Sequence, residues 1–355
     1  MSKVVVITGG GTGGHLKIAD VFISEFKKRG FEVVFIGSSY GQDKFWFEND
    51  DRLKEKFFLN TSGVVNKRGI AKIFSLLNIF YKAIFCLKIL KKYRVQKVVS
   101  VGGFSAAAAS LATIFKKDCN LYLHEQNSKI GALNKITLKY TKKAYSSFHD
   151  FSPIKDYPVD SKFFENSRVR KEIKTVAFFG GSQGAVAINN FALKVAPKLN
   201  EMGIKIVHQA GKNDFLRVKS EYEKLGINAD IFDFSKDILT KMSEADFCVS
   251  RAGASTLFEL CANNLPTFFI PFKYAAQNHQ YYNAKALYEK NLCFLQNEDE
   301  LDENYFFECL NSNIEKISNG LKEFIKPNAV EKIVDDILNN STFAHKTELF
   351  FSVNS

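Results

Sequence analysis

The sequence predicts an α/β protein of two domains, each built on a parallel sheet and both facing one cleft. Three observations lead there. An apolar, β-branched run from Val4 to Thr8 empties into Gly9-Gly10-Gly11-Thr12-Gly13-Gly14-His15, and a second run, Val176 to Phe179, empties into Gly180-Gly181-Ser182-Gln183-Gly184. A glycine-rich turn between a buried strand and a helix brings backbone close to a ligand and aims amide N–H groups at an anion. Strand-like and helix-like stretches alternate, which demands parallel sheets with right-handed crossovers. The length, 355 residues, exceeds one ordinary core and suits two domains of about 150 to 180 residues each.

In chain order the first half reads as strand 3 to 8, helix 15 to 29, strand 31 to 36, a long helix 69 to 93, strand 97 to 101, helix 105 to 115 and strand 120 to 124. The strands are short continuous apolar runs, and the helices repeat apolar residues at three- and four-residue spacing. Pro153 and Pro158 limit helix in the weakly patterned stretch from Tyr145 to Lys174, which places the linker near 150 to 160. The pattern then restarts with strand 174 to 179, helix 184 to 200, strands 203 to 208 and 246 to 250, helix 254 to 262 and strand 266 to 270. A last helix, Ala329 to Leu338, follows Pro327, and the polar tail after Asn340 has no regular pattern.

The net charge of +11 and pI near 9.1 point to an anionic partner: nucleic acid, an acidic membrane or phosphorylated small molecules. The six cysteines are scattered without a C-x-x-C pair, which argues against a zinc site or a disulfide framework and fits a reducing cytoplasm. There is no Asp-x-Asp and no His-x-x-x-His, so no metal site is expected. The N-terminus enters a strand without the regions of a signal peptide, and the chain is expected to stay inside the cell. Phe104 to Phe115 is too short, and Ile70 to Leu90 too interrupted by lysine, for a bilayer crossing to be expected.

Gly9-x-Gly11-x-x-Gly14 matches the dinucleotide fingerprint, but Gly37-Ser38-Ser39-Tyr40 stands where a ribose-binding acid belongs. A P-loop is excluded because His15 and Leu16 replace its Lys and Ser/Thr. A ligand-free tight turn is the plain alternative. Gly180-x-Ser182-x-Gly184 reads either as a nucleophile elbow, with His279 as partner and no evident Asp, or as a phosphate cradle. In Ser250 to Leu260, small residues open a helix with Glu259 about one turn in, a pattern that suits a diphosphate and a ribose diol, or ordinary capping. His124-Glu125-Gln126-Asn127 stands just past a strand end, where open α/β sheets collect ligands; a surface turn would look the same.

From Asn66 to Arg94 there is no acidic residue, while Lys67, Arg68, Lys72, Lys82, Lys88, Lys91, Lys92 and Arg94 interleave with apolar residues at helical spacing. Part of that stripe must be core. The lack of counter-charge favours an anionic membrane surface over nucleic acid, for which no recognisable module exists.

Together GGGTGGH at 9 to 15, VGGFS at 101 to 105, HEQNSKIGALNK at 124 to 135, GGSQGA at 180 to 185, SRAGASTLFEL at 250 to 260 and NHQYYNA at 278 to 284 resemble, in order and spacing, the MurG family of bacterial peptidoglycan N-acetylglucosaminyltransferases. The resemblance runs from residue 3 to about 340. It implies a GT-B fold of two Rossmann-like domains, 1–158 associating with acceptor and membrane and 159–326 binding UDP-GlcNAc, with the last helix, within 327–340, crossing back to the first. By the same resemblance Thr12, Gly13, Gly14 and Asn127 would face the transferred sugar and acceptor, and Gly102 and Gly103 would help hold the acceptor diphosphate. Ser182, the backbone near Ser235, Gln280 and the run Ala254, Ser255, Thr256, Leu257, Phe258 and Glu259 would hold the UDP-sugar, with Glu259 on the ribose.

Two positions depart from the family pattern. Tyr157-Pro158-Val159-Asp160 lacks the usual arginine, leaving Lys155 or Lys162 to replace it, and Ile18 stands for a proline. The implied reaction moves GlcNAc from UDP-GlcNAc to the C4 hydroxyl of the muramoyl sugar of lipid I, with inversion and without metal or cofactor. His15 is the best placed base, since an imidazole ordinarily titrates near neutral pH. The implied setting is the cytoplasmic face of the inner membrane, with peripheral attachment to its anionic surface and with cell-wall synthesis and division proteins as partners. The alternatives are another UDP-sugar enzyme acting on a lipid acceptor, a serine hydrolase using Ser182, a nucleotide-dependent dehydrogenase and a non-catalytic membrane scaffold.

Overall fold

The computed structural model describes residues 3–64, 67–181, 184–233, 235 and 238–339. Among the described residues the chain divides into two compact units, one of the residues up to Pro158 together with 328–339, the other of Val159–Pro327.

The first unit runs β1 (Val4–Thr8), α1 (Gly13–Lys28), β2 (Glu32–Ser38), α2 (Asp43–Phe47), β3 (Leu53–Leu59), α3 (Gly69–Lys92), β4 (Lys97–Ser100), α4 (Ala107–Phe115), β5 (Asn120–His124), α5 (Ala132–Thr137) and β6 (Lys143–Tyr145). The strands pair in parallel in the order β3-β2-β1-β4-β5-β6. Connections leave β1 toward one edge and resume at β4 toward the other, so the switch point lies between β1 and β4. In open α/β sheets a ligand binds there, outside the carboxyl ends of the strands. α1 stops at Gly30, whose φ of +76° lets the Phe31 amide close on the Phe26 carbonyl at 3.0 Å. The stretch read as one helix from 105 opens as a 3-10 turn, Phe104–Ala106, before α4.

The second unit runs α6 (Lys162–Glu165), β7 (Thr175–Phe179), α7 (Val186–Glu201), β8 (Lys205–Gln209), α8 (Phe215–Lys224), β9 (Asp230–Phe232), α9 (Ile238–Glu244), β10 (Phe247–Ser250), α10 (Ala254–Ala262), β11 (Thr267–Phe269), α11 (His279–Tyr288), β12 (Phe294–Leu295), α12 (Glu303–Leu310) and α13 (Ile314–Phe324). Its order, β12-β11-β10-β7-β8-β9, puts the switch point between β7 and β10. Phe178, Phe191, Phe247, Phe268 and Phe306 fill the core beside the sheet. Arg170 is fully buried and donates to the carbonyls of Arg168, Met242, Ala245 and Asn263 and to Asn263 Oδ1, stapling the ends of α9 and α10 to the strand side. Burial holds its guanidinium down to about 9.

The last helix, α14 (Ala329–Asn339), packs on the first unit. Asp336 takes Lys143 Nζ at 2.7 Å and the Tyr145 hydroxyl at 2.8 Å, while Asp335 pairs with Arg29. The tail after Asn340 lies outside the described residues.

α3 corrects one expectation. By length and composition it is apolar enough to cross a membrane, with two lysines, not an interrupting series, in its most apolar stretch. Its C-terminal half is nevertheless bound into the unit, because Ala83, Cys86, Ile89 and Leu90 sit in the core with Ala108, Ala109 and Ala112 of α4. From Ile70 to Phe85 its other face shows solvent Ile70, Ile73, Phe74, Leu76, Leu77, Phe80, Tyr81, Ile84 and Phe85.

Candidate active site

At the switch point of the first sheet two glycine turns interlock. Gly9, Gly10 and Gly11 take φ of +126°, +150° and +86°, and Gly102 and Gly103 take +83° and +77°. Only glycine fits here, since a Cβ on Gly9 would lie 2.5 Å from the Gly102 carbonyl and one on Gly103 would run into that of Gly10. The Gly10 amide donates to the Gly102 carbonyl at 3.1 Å and the Gly11 amide to Asp43 Oδ1 at 2.5 Å. Those two N–H groups are thus used inside the protein and are not aimed at an anion, which moves any ligand contact toward Thr12, Gly13 and Gly14 at the start of α1.

Thr12 caps α1 in extended conformation, and its hydroxyl lies 3.0 Å from His15 Nδ1. His124, at the end of β5, is fully buried between the rings of Phe22 and Tyr157, and neither ring nitrogen has a hydrogen-bond partner among the described residues. Burial, with a smaller contribution from His15, pushes it down to about 3 and keeps it neutral. Glu125 is also buried and organises the loop leading into α5, accepting from the amides of Asn127 and Gly131 at 2.9 Å and from Asn134 Nδ2 at 2.7 Å. Asn134 in turn lies against Gly102, where a Cβ would sit 2.9 Å from Nδ2. Asn127 is half-buried, and its carbonyl meets His149 Nε2 at 3.1 Å.

The second switch point is framed by the turn after β7 and the start of α10. Gly180 and Gly184 fit tightly, a Cβ on Gly184 falling 2.5 Å from the Ala210 carbonyl. Ser182 lies outside the described residues. α10 starts at Gly253 with no side-chain cap, so Ala254, Ser255 and Thr256 form its first turn. Their N–H groups are the ones an α-helix leaves without intrahelical partners. Leu257 and Phe258 are core residues: the Leu257 amide already donates to the Gly253 carbonyl at 2.9 Å, and the Phe258 ring stacks on Phe324. Their side chains are packed in the core. Glu259 is only 6% exposed, one turn into the helix.

Gln280 is half-buried on α11, with its Oε1 taken by the Phe272 amide at 3.0 Å. The turn before it carries Gln277 and Asn278 both at φ of +54°, a conformation costly for a non-glycine residue. Ser235 is half-buried just past β9. Lys155 pairs with Asp150 at 2.9 Å and Lys162 with Asp160 at 2.9 Å, so both candidates for the missing arginine are engaged. His279 Nδ1 meets the Ala276 carbonyl at 2.8 Å. All six cysteines are buried and unpaired, and no cluster of three or more His, Cys, Asp or Glu side chains suited to a metal forms among the described residues.

Two parallel sheets, each with a glycine turn at its switch point and the second with a carboxylate one turn into the adjoining helix, are the architecture of the GT-B class of sugar-nucleotide proteins. Residues 5–146 match the glycosyltransferase family 28 N-terminal domain and 175–340 the C-terminal domain of the same family. A Campylobacter jejuni protein named UDP-N-acetylglucosamine--N-acetylmuramyl-(pentapeptide) pyrophosphoryl-undecaprenol N-acetylglucosamine transferase is 52% identical over 342 residues, covering 96% of this chain and 99% of that one. Among solved structures, Acinetobacter baumannii MurG superposes with a TM-score of 0.78 at 21% identity, over 95% of this chain and 99% of that one. The Neisseria meningitidis UDP-GlcNAc 2-epimerase bound to UDP-GlcNAc reaches 0.62 at 14% identity, over 95% and 100%. At such identities the two structures speak for the fold alone. The chain belongs to glycosyltransferase family 28 and, within it, to the MurG family of N-acetylglucosaminyltransferases.

Proposed function

We propose that the protein transfers GlcNAc from UDP-GlcNAc to the C4 hydroxyl of MurNAc in undecaprenyl-diphospho-MurNAc-pentapeptide, lipid I, releasing UDP and forming lipid II. Membership in a family of inverting transferases makes the serine-hydrolase and dehydrogenase alternatives unnecessary. The observation that carries the donor half is α10, where a helix N-terminus at a switch point is followed by a buried carboxylate one turn in.

The donor diphosphate is read onto the first turn of α10 and the 180–184 turn, where amides and helix dipole stabilise charge as UDP leaves. Glu259 takes the ribose hydroxyls, and Gln280 and the backbone near Ser235 complete the donor site. In the first unit, Gly102 and Gly103 hold the acceptor diphosphate, while Thr12, Gly13, Gly14 and Asn127 face the sugars. The acceptor C4 oxygen attacks C1 of GlcNAc from the face opposite UDP, forming one C–O bond as the other breaks. Its proton passes to His15. With Nδ1 protonated and donating to Thr12 Oγ1, the lone pair of that imidazole sits on Nε2, as a base requires.

Attachment to the anionic inner face of the membrane is read from α3, whose exposed apolar residues are joined by exposed Lys72, Lys88 and Lys91 and half-buried Lys82, with no acid in the helix. Cell-wall synthesis and division proteins are the expected neighbours there. The test is transfer of radiolabel from UDP-GlcNAc to a short-chain lipid I analogue. Labelled lipid II supports the reading, and UDP-GlcNAc binding without transfer overturns it.

A further inference from the structure

Asp43 has no place in the site as the sequence draws it, yet it is the group on which the first glycine turn is built. It is 0% exposed. Its Oδ1 accepts the Gly11 amide at 2.5 Å and its Oδ2 the Ser38 amide at 2.8 Å, and no cation pairs with it among the described residues. The space around it is closed: a Cβ on Gly10 or on Gly37 would each lie 2.7 Å from a carboxylate oxygen. The segment it ends wraps the same turn, with Gly41 at φ of +89° against the Gly11 carbonyl and Gln42 Oε1 against Gly13. Burial pushes the Asp43 carboxyl up, while the Ser38 and Gly11 amides, then the Ser105 hydroxyl and its own amide, pull it down.

A buried carboxylate without a cation is costly, and an apolar side chain of similar size would fill the space more cheaply. Such a local exception points to function. What Asp43 supplies is a fixed position for the Gly11 amide, the residue immediately before Thr12, whose hydroxyl holds His15. We propose that Asp43 is a positioning residue for the transfer reaction, setting Thr12 and His15 against the acceptor through the Gly11 amide without touching substrate. This inference rests on the function proposed above.

The test is Asp43→Asn, whose amide nitrogen cannot accept, so that one of the two backbone N–H groups loses its partner. In the folded variant kcat should fall by at least about tenfold, since a misplacement near 1 Å can cost 10²-fold. The KM for UDP-GlcNAc should stay within about twofold, because the donor residues lie in the other unit, and the rate of diethyl pyrocarbonate modification of His15, mapped by peptide, should change. A purely structural role would lower the melting temperature and leave kcat and the His15 rate alone. Should Asp43→Asn fail to fold, Asp43→Ser, which leaves room for water on both amides, takes the same measurements. Unchanged kcat and His15 rate, a donor KM that rises as kcat falls, or failure of both variants to fold overturns the proposal. Absence of transfer by the wild-type protein defeats the proposed function instead, and the His15 modification rate still decides the part played by Asp43.

Discussion

Glu259 and His15 sit in different units, and their substitutions should separate cleanly. Because Glu259 is buried, glutamine tests it better than alanine, which would leave a cavity. Glu259→Gln should lose about 1.5 to 3 kcal/mol of donor use, the range for hydrogen bonds to a charged group, read as a fall in kcat/KM for UDP-GlcNAc. Wild-type kcat/KM would remove the ribose role. His15→Ala should lower kcat by about 10² to 10⁴ with UDP binding intact, checked by single-turnover kinetics and calorimetry. A variant whose UDP affinity falls with its activity would move His15 from base to binding residue. Both positions are legible in the sequence because each comes after a glycine-marked strand end at fixed spacing. Asp43 is not, because a lone acid in the polar stretch after β2 looks like a solvated turn until the fold turns it inward. That the Leu257 and Phe258 side chains face the core is not legible either, because a helix-start motif does not say which of its residues point inward.

At the scale of elements, the eight inner strands are legible and the four edge strands are not. β3, β6, β9 and β12 each lie at a sheet edge. An inner parallel strand is covered on both faces and reads as an unbroken apolar run, whereas Leu53–Leu59 carries three charges and Phe294–Leu295 is only two residues long. α3 is the element whose surface departs furthest from that of a soluble domain. If four of its lysines reach an anionic bilayer, they supply roughly 4 kcal/mol at about 1 kcal/mol each, and inserted Phe or Ile side chains add to that. Reversing Lys72, Lys82, Lys88 and Lys91 to glutamate should release the protein from anionic vesicles in a flotation assay. Vesicle binding unchanged by that variant would leave α3 as a helix of the fold and nothing more. In the second unit, Arg170→Ala strands the carbonyls that the guanidinium satisfies, and a loss of at least about 3 kcal/mol is expected in urea denaturation. A loss of less than about 1 kcal/mol would show that water replaces the staple.

On the scale of the whole molecule, each unit buries one neutral histidine, and this links stability to pH in a window of its own. Burial holds His124 in the first unit and His208 in the second down to about 3, against an ordinary 6.5. The unfolded chain therefore takes up protons below pH 6.5 that the folded one refuses, so this part of the stability is complete above that pH and is lost as pH falls. Each histidine should contribute a loss of about 1.4 kcal/mol per pH unit, or roughly 2 kcal/mol by pH 5. Asp50, Asp118 and Asp214 are held below 3.8 by Arg52, Lys116 and Arg217, so their losses come at lower pH, while Asp43, pushed up by burial, takes its proton first in the folded state and opposes the loss from His124 as pH falls. The single tryptophan, Trp46, lies in the first unit and gives that unit its own fluorescence signal. In urea titrations the Trp46 midpoint should fall between pH 7 and pH 5, and His124→Gln should flatten that fall. His208→Gln should flatten the corresponding change in far-UV circular dichroism, since in the native chain the ring is held by the Tyr222 hydroxyl and Asn189 at 3.0 Å each. Equal midpoints for the wild-type protein at pH 7 and pH 5 would mean that the two imidazoles charge inside the folded protein, and that neither is kept neutral by its burial.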